Sequence, residues 1–550
     1  MKRWHIVLST MFWTLSPGAN GQGVDVQVRL LKPDAIEVGY ALPPRCAAVP
    51  FIKNGPDGGQ TRANWQALDD CGAAGADQLT RGKGVCPVLR FRVPTATNLP
   101  GYPAAFPLGQ GAYVHLSNYA LAETCGKVSY HFSAPGILMN GRSHQDAAVA
   151  NAGEDTAALL LRTPQAQRDG EAVAWFDPRL SAATVAQIKL VANGTVNYLR
   201  GALPDAKYKP PIMAAVYATR PGGPSIGGDA SDVLRLSLFN WPDNPGPTEQ
   251  ASLRVLVAHE FSHRFQLRDA VDGYADGRLI HEGGGEFLRW MTSVRQGWLT
   301  PAEAAADLDQ AWSNCSLYVE RRSWRGLSPR VIRGNRLEYS CGLAVYTYVL
   351  AARQGAGTAM SRINGFYKAL GDGGQPDFGR SLECGATSPC EQRWLGPLLG
   401  ADGSMAQHWI ELFDATGLAT PQPPTQAQRD AMVLRAMVKL MMDNCGGGSG
   451  TTETPEGIIL DGIEGCKAFA KDAYVTRIEG LSVFGDAATG DAIEAACTRR
   501  RRIELGLREG GKLDAPCQQP YQRQTRFYHA DIDKLLAVLK AAGGATPNGH

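Results

Sequence analysis

From Val24 onward, valine and leucine alternate with polar residues: Val24, Val26, Val28 and Leu30 against Asp25, Gln27 and Arg29. A period of two predicts a strand with one buried face. The same alternation returns at Leu89-Phe91-Val93 and Val128-Tyr130-Phe132, with Gly and Pro between, so residues 22–150 read as an antiparallel β domain. The period then lengthens. Residues 181–203 read as a helix, followed by strands over 212–218 and 233–239. A second helical stripe runs through Leu253, Leu256, Val257, Phe261 and Phe265, with Pro247-Thr248 as its start. A third begins near His281, with Phe287, Trp290, Met291, Val294 and Trp298 on its buried side. Residues 300–420 are mostly helical by pattern, including 407–412, and loops at 371–377 and 420–425 punctuate them. After a helix over 427–442, the tract 446–452 reads as a flexible linker. A small unit follows, with strands over 474–480 and 503–507 and a helix over 491–497 between them.

At 550 residues the chain is long enough for about two to four domains. Lys2 and Arg3, an apolar run from Ile6 to Leu15 and the small-residue stretch 16–21 read as a signal peptide over 1–21, cleaved before Gln22. The run is too short to span a bilayer, and no other segment is long and apolar enough. A soluble secreted or periplasmic protein is expected, with no integral membrane segment once the signal is removed. A net charge of +2 argues against a nucleic-acid partner, and the run Arg499 to Arg502 reads as a solvated strand edge or loop. The twelve cysteines fall in three groups of four: Cys46, Cys71, Cys86, Cys125; Cys315, Cys341, Cys384, Cys390; and Cys445, Cys466, Cys497, Cys517. Each group can close within its own domain as disulfides. The pairings stay open, with Cys384–Cys390 a natural local loop.

The chemistry concentrates in one short stretch. His259-Glu260-Phe261-Ser262-His263 falls on the second helix, where positions four apart lie one above the other. His259 and His263 can therefore offer nitrogens to one metal ion, with Glu260 beside it as general base. Glu282 follows His263 after eighteen residues and is the favoured third ligand. Asp269, His281 and Glu286 compete with it. Asp269 lies six residues after His263, a spacing that resembles that of the metzincin peptidases, but those carry a chain-turning glycine three residues after the second histidine, where Gln266 stands. His281 adjoins Glu282, and neighbouring helical residues point about 100° apart, so only one of them faces the metal. Glu286 reads either as a carboxylate that orients a ligand histidine or as a solvated helix residue. Gly283, Gly284 and Gly285 each cost a helix about 1 kcal/mol relative to alanine. They imply close approach, either of two helices or of a substrate backbone.

His-Glu-x-x-His, eighteen residues, then Glu resembles the signature of the gluzincin zinc peptidases, and the spacing is that of the glycyl and alanyl aminopeptidase families. Those families carry Asn-Glu-Gly around the later ligand, where this chain has His281-Glu282-Gly283. Their Tyr-x-x-Gly, whose phenol stabilises an oxyanion, is matched by Tyr339-Ser340-Cys341-Gly342; the alternative for Tyr339 is ordinary packing. The upstream Gly-Ala-Met-Glu-Asn of the alanyl families is absent. The glycine-rich run 222–229 leads instead into the strand over 233–239, where an edge strand could pair with an extended peptide and Asp229 or Asp232 could capture an amine.

The resemblance implies a multidomain α+β chain: an N-terminal antiparallel β domain over 22–150, a thermolysin-like zinc peptidase core with a helical subdomain over 165–425, and a small PDZ-like α+β domain over 453–540. It implies Zn²⁺ held by His259, His263 and Glu282, with Glu260 and Tyr339 catalytic, and a peptide or protein as substrate. The rival expectation is an exported, catalytically inactive zinc-binding scaffold on the same fold. Oligomeric state stays open.

Overall fold

The alternating residues from Val24 form the strand Val24–Lys32, and Val24, Val26 and Val28 are fully buried while Asp25 is exposed. In the computed structural model this strand is central to a sheet that among the described residues has nine strands. Its order is Gln66–Ala67, Leu89–Pro94, Ala35–Ala41, Val24–Lys32, Val128–Met139, Ala157–Leu161, Gly111–His115 and Ala105–Leu108, with Arg142–Asn151 also paired to Val128–Met139. One pairing corrects the antiparallel expectation: Val24–Lys32 runs parallel to Val128–Met139, Val24 opposite Val128. A parallel pair needs a long crossover. Here the intervening chain supplies it, and Cys46–Cys125 ties that excursion back on itself.

The structure describes residues 23–540 apart from 33, 84–85, 96–103, 109–110, 141, 152–156, 163–166, 170–171, 220–222, 231–232, 320–321, 354–356, 386–390, 401–403, 446–450, 463–465, 522 and 525. The signal peptide expected over 1–21, Asp232, Cys390 and most of the expected linker 446–452 lie outside the described residues. Thr451 and Thr452 begin a strand instead. The chain divides into two compact units, one made of residues up to Val185 with Pro210–Pro245, the other of Ala186–Lys209 with everything from Gly246.

The first unit holds the nine-stranded sheet and a five-stranded one. In the latter, Ala172–Phe176, Ile212–Ala218 and Val233–Phe239 run parallel, and every residue of Val233–Phe239 is buried. Continuous burial is what a parallel strand covered on both faces requires. The glycine-rich run contributes a strand of its own, Ser225–Ala230, which carries Asp229, lies antiparallel to Val233–Phe239 and forms the sheet edge.

The second unit is mainly helical. Helix α1 (Ala182–Ala202, whose first turn belongs to the first unit) precedes α2 (Pro247–Ser262), which starts at the expected proline. A π-helical turn, Leu279–Gly283, runs directly into α3 (Gly284–Arg295), so Trp298, expected on this helix, lies beyond its end. Helices α4 (Pro301–Val319) and α5 (Leu337–Ala351) are joined by Cys315–Cys341, with Cα atoms 4.7 Å apart.

Beyond α5, the helix α6 (Gln426–Cys445) lays Val433, Met437, Leu440 and Met441 on an antiparallel sheet that among the described residues has six strands, against Ile458, Val475, Ile503 and Leu505. Cys445–Cys466 and Cys497–Cys517 bracket that sheet. Residues 420–425, expected as loop, include most of the strand Ala419–Gln422, which pairs antiparallel with Phe527–Ala530. Its partner lies more than a hundred residues on, where no local pattern could announce it.

Each of the five disulfides among the described residues closes within its own group of four cysteines, the remaining pair being Cys71–Cys86. Cys384 is also disulfide-bonded. Among the described residues no helix is long and apolar enough to cross a membrane.

Candidate metal centre

His259 lies in the last turn of helix α2 and His263 caps that helix one turn further on, and their Nε2 atoms stand 2.9 Å from each other. Glu282, from the π turn, places Oε2 3.4 Å from both. One ligand atom from each residue thus lies within 4.8 Å of the others. Donors around a tetrahedral zinc ion are separated by about 3.3 Å, since each sits about 2.0–2.1 Å from the metal. The three separations suit zinc.

Each histidine is held from behind. Glu286 Oε1 lies 2.8 Å from His259 Nδ1, and Arg289 holds the same carboxylate at 2.7 Å while reaching Asp307 with its other arm, also at 2.7 Å. Glu286 is therefore paired with His259 and Arg289 and is not a solvated helix residue. His263 Nδ1 stands 2.6 Å from Gln266 Oε1, and the Gln266 amide donates to the Tyr367 hydroxyl at 2.8 Å and the His281 carbonyl at 3.0 Å. Gln266 is fully buried and is a residue the sequence reading passed over, because that position was tested only for glycine. Its signal was present: a polar residue one turn beyond a ligand histidine on a buried helical stripe. Burial raises the Glu286 carboxyl, but Arg289 and then His259 bring it down to about 2. Burial likewise disfavours a charged His259, yet Glu282 and Glu286 hold it up at about 10. Glu282, despite burial, is driven far below the usual carboxylate range by the two histidines. These directions express one demand. Buried carboxylates around two imidazoles require positive charge where the nitrogens meet.

The glycine triplet has its explanation in close approach of helices and rings. A Cβ on Gly283 would fall 2.5 Å from the Gly342 Cα of α5. One on Gly285 would fall 2.7 Å from His263 Cε1, and one on Gly284 would strike the Gln266 amide. The π turn supplies the remaining adjustment, widening the helix where Glu282 must face the histidines while His281 does not. His281 instead stacks flat on His263, with ring centroids 4.1 Å apart. Burial, and then the neighbouring His263, push its pKa well down, so it packs as a neutral ring. Asp269 lies on the short helix Arg268–Val271, and its side chain is outside the described residues.

Glu260 is buried, and its charge is felt by both His259 and Tyr339. Tyr339, in the first turn of α5, sets its ring 5.5 Å from that of His259. Burial, and then the Glu282 carboxylate, push its phenol above the ordinary value, so it keeps its proton and remains a donor at neutral pH.

No family model matches this chain, and no curated protein does. Solved structures do. An aminopeptidase N family protein from Idiomarina loihiensis superposes with a TM-score of 0.60 at 12% identity, covering 94% of this chain and 99% of that one. The chain therefore has that protein's multidomain α+β fold. Leukotriene A4 hydrolase from Saccharomyces cerevisiae matches with a TM-score of 0.36 at 9% identity, over 77% of this chain and 72% of that one. An M1 zinc metallopeptidase from Deinococcus radiodurans matches at 0.35 and 12%, over 69% and 96%.

Proposed function

We propose that this chain is an exported zinc-dependent metallopeptidase. The observation that carries the proposal is the convergence of His259, His263 and Glu282 beside a buried Glu260, on the fold of an aminopeptidase N family protein. A bound zinc ion supplies a Lewis acid that lowers the pKa of water toward about 7. His259, His263 and Glu282 would hold it, with Glu286 and Gln266 keeping the two rings in the tautomer that presents Nε2. Glu260 accepts the proton as water attacks the peptide carbonyl and returns it to the leaving amine. The Tyr339 phenol donates to the carbonyl oxygen as negative charge develops there. The five disulfides support export, because such bonds persist in oxidising compartments. The antiparallel sheet with a helix over Thr489–Ala495 is of the class expected for a PDZ-like C-terminal unit.

The deciding experiment pairs metal analysis with cleavage of an unfolded protein substrate. Wild type is expected to hold one zinc ion and to cleave, whereas Glu260→Gln holds the same zinc and loses turnover by about three orders of magnitude or more. Zinc bound by a wild-type protein that hydrolyses nothing would reject the peptidase and leave the scaffold.

A further inference from the structure

Beside the metal centre the charges are nearly all committed. Glu282 faces the two histidines, Glu286 is shared by His259 and Arg289, and Glu338 takes Arg278 at 2.5 Å. Arg336 differs. Among the described residues it meets no carboxylate, and the interaction that places it is with an aromatic ring: its guanidinium carbon lies 4.6 Å from the Tyr339 centroid. The residue is exposed, and it sits at φ 50°, ψ 39°, in the left-handed region that a long L side chain rarely adopts. Backbone conformations of this kind concentrate at functional sites. Here the conformation holds the guanidinium over the phenol at the start of α5.

The distances set what such a group can reach. Tyr339 is 5.5 Å from His259, so the guanidinium is one aromatic ring removed from a ligand histidine. Three residues of extended chain span about 10 Å. A group on a substrate held here would therefore lie within about three residues of the bond under attack. A guanidinium presents a planar fork of donors that matches a carboxylate in two parallel hydrogen bonds.

We propose that Arg336 is a substrate-recognition residue that binds a carboxylate of the peptide close to the scissile bond, so that the enzyme favours acidic peptides. The carboxylate is either the free carboxyl terminus of a short peptide or the side chain of Asp or Glu. The inference rests on the metallopeptidase reading for its substrate, and its test is separable from that reading.

The test uses the full zinc-loaded chain and three peptides of one core sequence: one with a free carboxyl terminus, one amidated there, and one amidated but carrying Glu two residues from the cleaved bond. Binding is measured by calorimetry in the Glu260→Gln protein, where no turnover intervenes, and kcat/KM in wild type and in Arg336→Gln and Arg336→Lys. The free-acid or the Glu peptide is expected to bind about tenfold more tightly than the neutral amide, the scale of one charge-assisted pair. Which of the two gains identifies the carboxylate. Arg336→Gln is expected to bring that ratio close to one through KM, and Arg336→Lys to keep part of it. A role confined to supporting the Tyr339 ring would depress all three peptides equally and leave the ratio intact. Equal affinity of acid and amide peptides, or a preference that survives Arg336→Gln, overturns the proposal. Absence of cleavage with an acid preference still present in binding would reject the peptidase reading alone.

Discussion

At the residue scale, Gln266 shows how a neutral group can hold a ring of the candidate metal centre. Its amide accepts from His263 on one side and is pinned by Tyr367 and the His281 carbonyl on the other. Gln266→Ala is expected to weaken zinc affinity by about 10–100-fold in a chelator competition, with Gln266→Glu recovering most of it. Unchanged affinity in the alanine variant would mean that His263 needs no such support. The asymmetry between the histidines, a carboxylate behind one and an amide behind the other, was only half legible in the sequence. Glu286 stood out because an acidic residue one turn from a ligand is a familiar device. Gln266 did not, because it was weighed as a missing glycine and its own hydrogen-bonding capacity went unread. The three residues that the structure brings together, His259, His263 and Glu282, were legible because their spacing carries the chemistry directly.

At the element scale, α3 was legible as a helix but not in its entry. A period of 3.6 cannot reveal a π turn, and that turn gives Glu282 its facing while Gly283 lets the turn meet Gly342 of α5 without an intervening side chain. Gly342→Ala is expected to force the two elements apart and to destabilise the protein by about 1–3 kcal/mol, the cost of overfilling a packed seam. Thermal unfolding measures that loss, and Gly365→Ala is the control, since an added Cβ there meets nothing within 4 Å. A neutral effect at Gly342 would mean that the seam yields. Cys315–Cys341 fastens α5 one residue before that contact. This link had been assigned to a group of four cysteines but not to a partner, because pairing depends on where helices cross and not on spacing.

At the scale of the whole molecule, alternation located the strands of the N-terminal sheet well but left its parallel pair and the Ala419–Gln422 strand unseen, both of which depend on partners far along the chain. Where Phe527–Ala530 returns to α4, Asp309 Oδ1 accepts the Ala530 N–H at 2.7 Å, and His529 Nδ1 lies 3.3 Å from the other oxygen. Burial raises the Asp309 carboxyl from 3.8 to about 6, against the pull of the Ala530 N–H and His529. The folded state thus binds the extra proton between those values, so the contribution is present in full below pH 3.8 and is lost as pH rises through about 6. After allowance for solvent screening it amounts to about 1 kcal/mol. Asp309→Asn keeps the acceptor without the charge. It is expected to remove this slope and to stabilise the protein at neutral pH by a similar amount in denaturant titrations at pH 4 and pH 7; an unaltered slope would assign the pH dependence elsewhere.

The meeting of Gly283 with Gly342 has a consequence for how such a protein can diverge. Glu282 stands one residue before a seam in which neither glycine leaves room for a side chain, so no graded adjustment is open there. The smallest hereditary step is a whole methyl, and tuning of this centre must instead come from its outskirts, through groups such as Arg289, Asp307 and Tyr367.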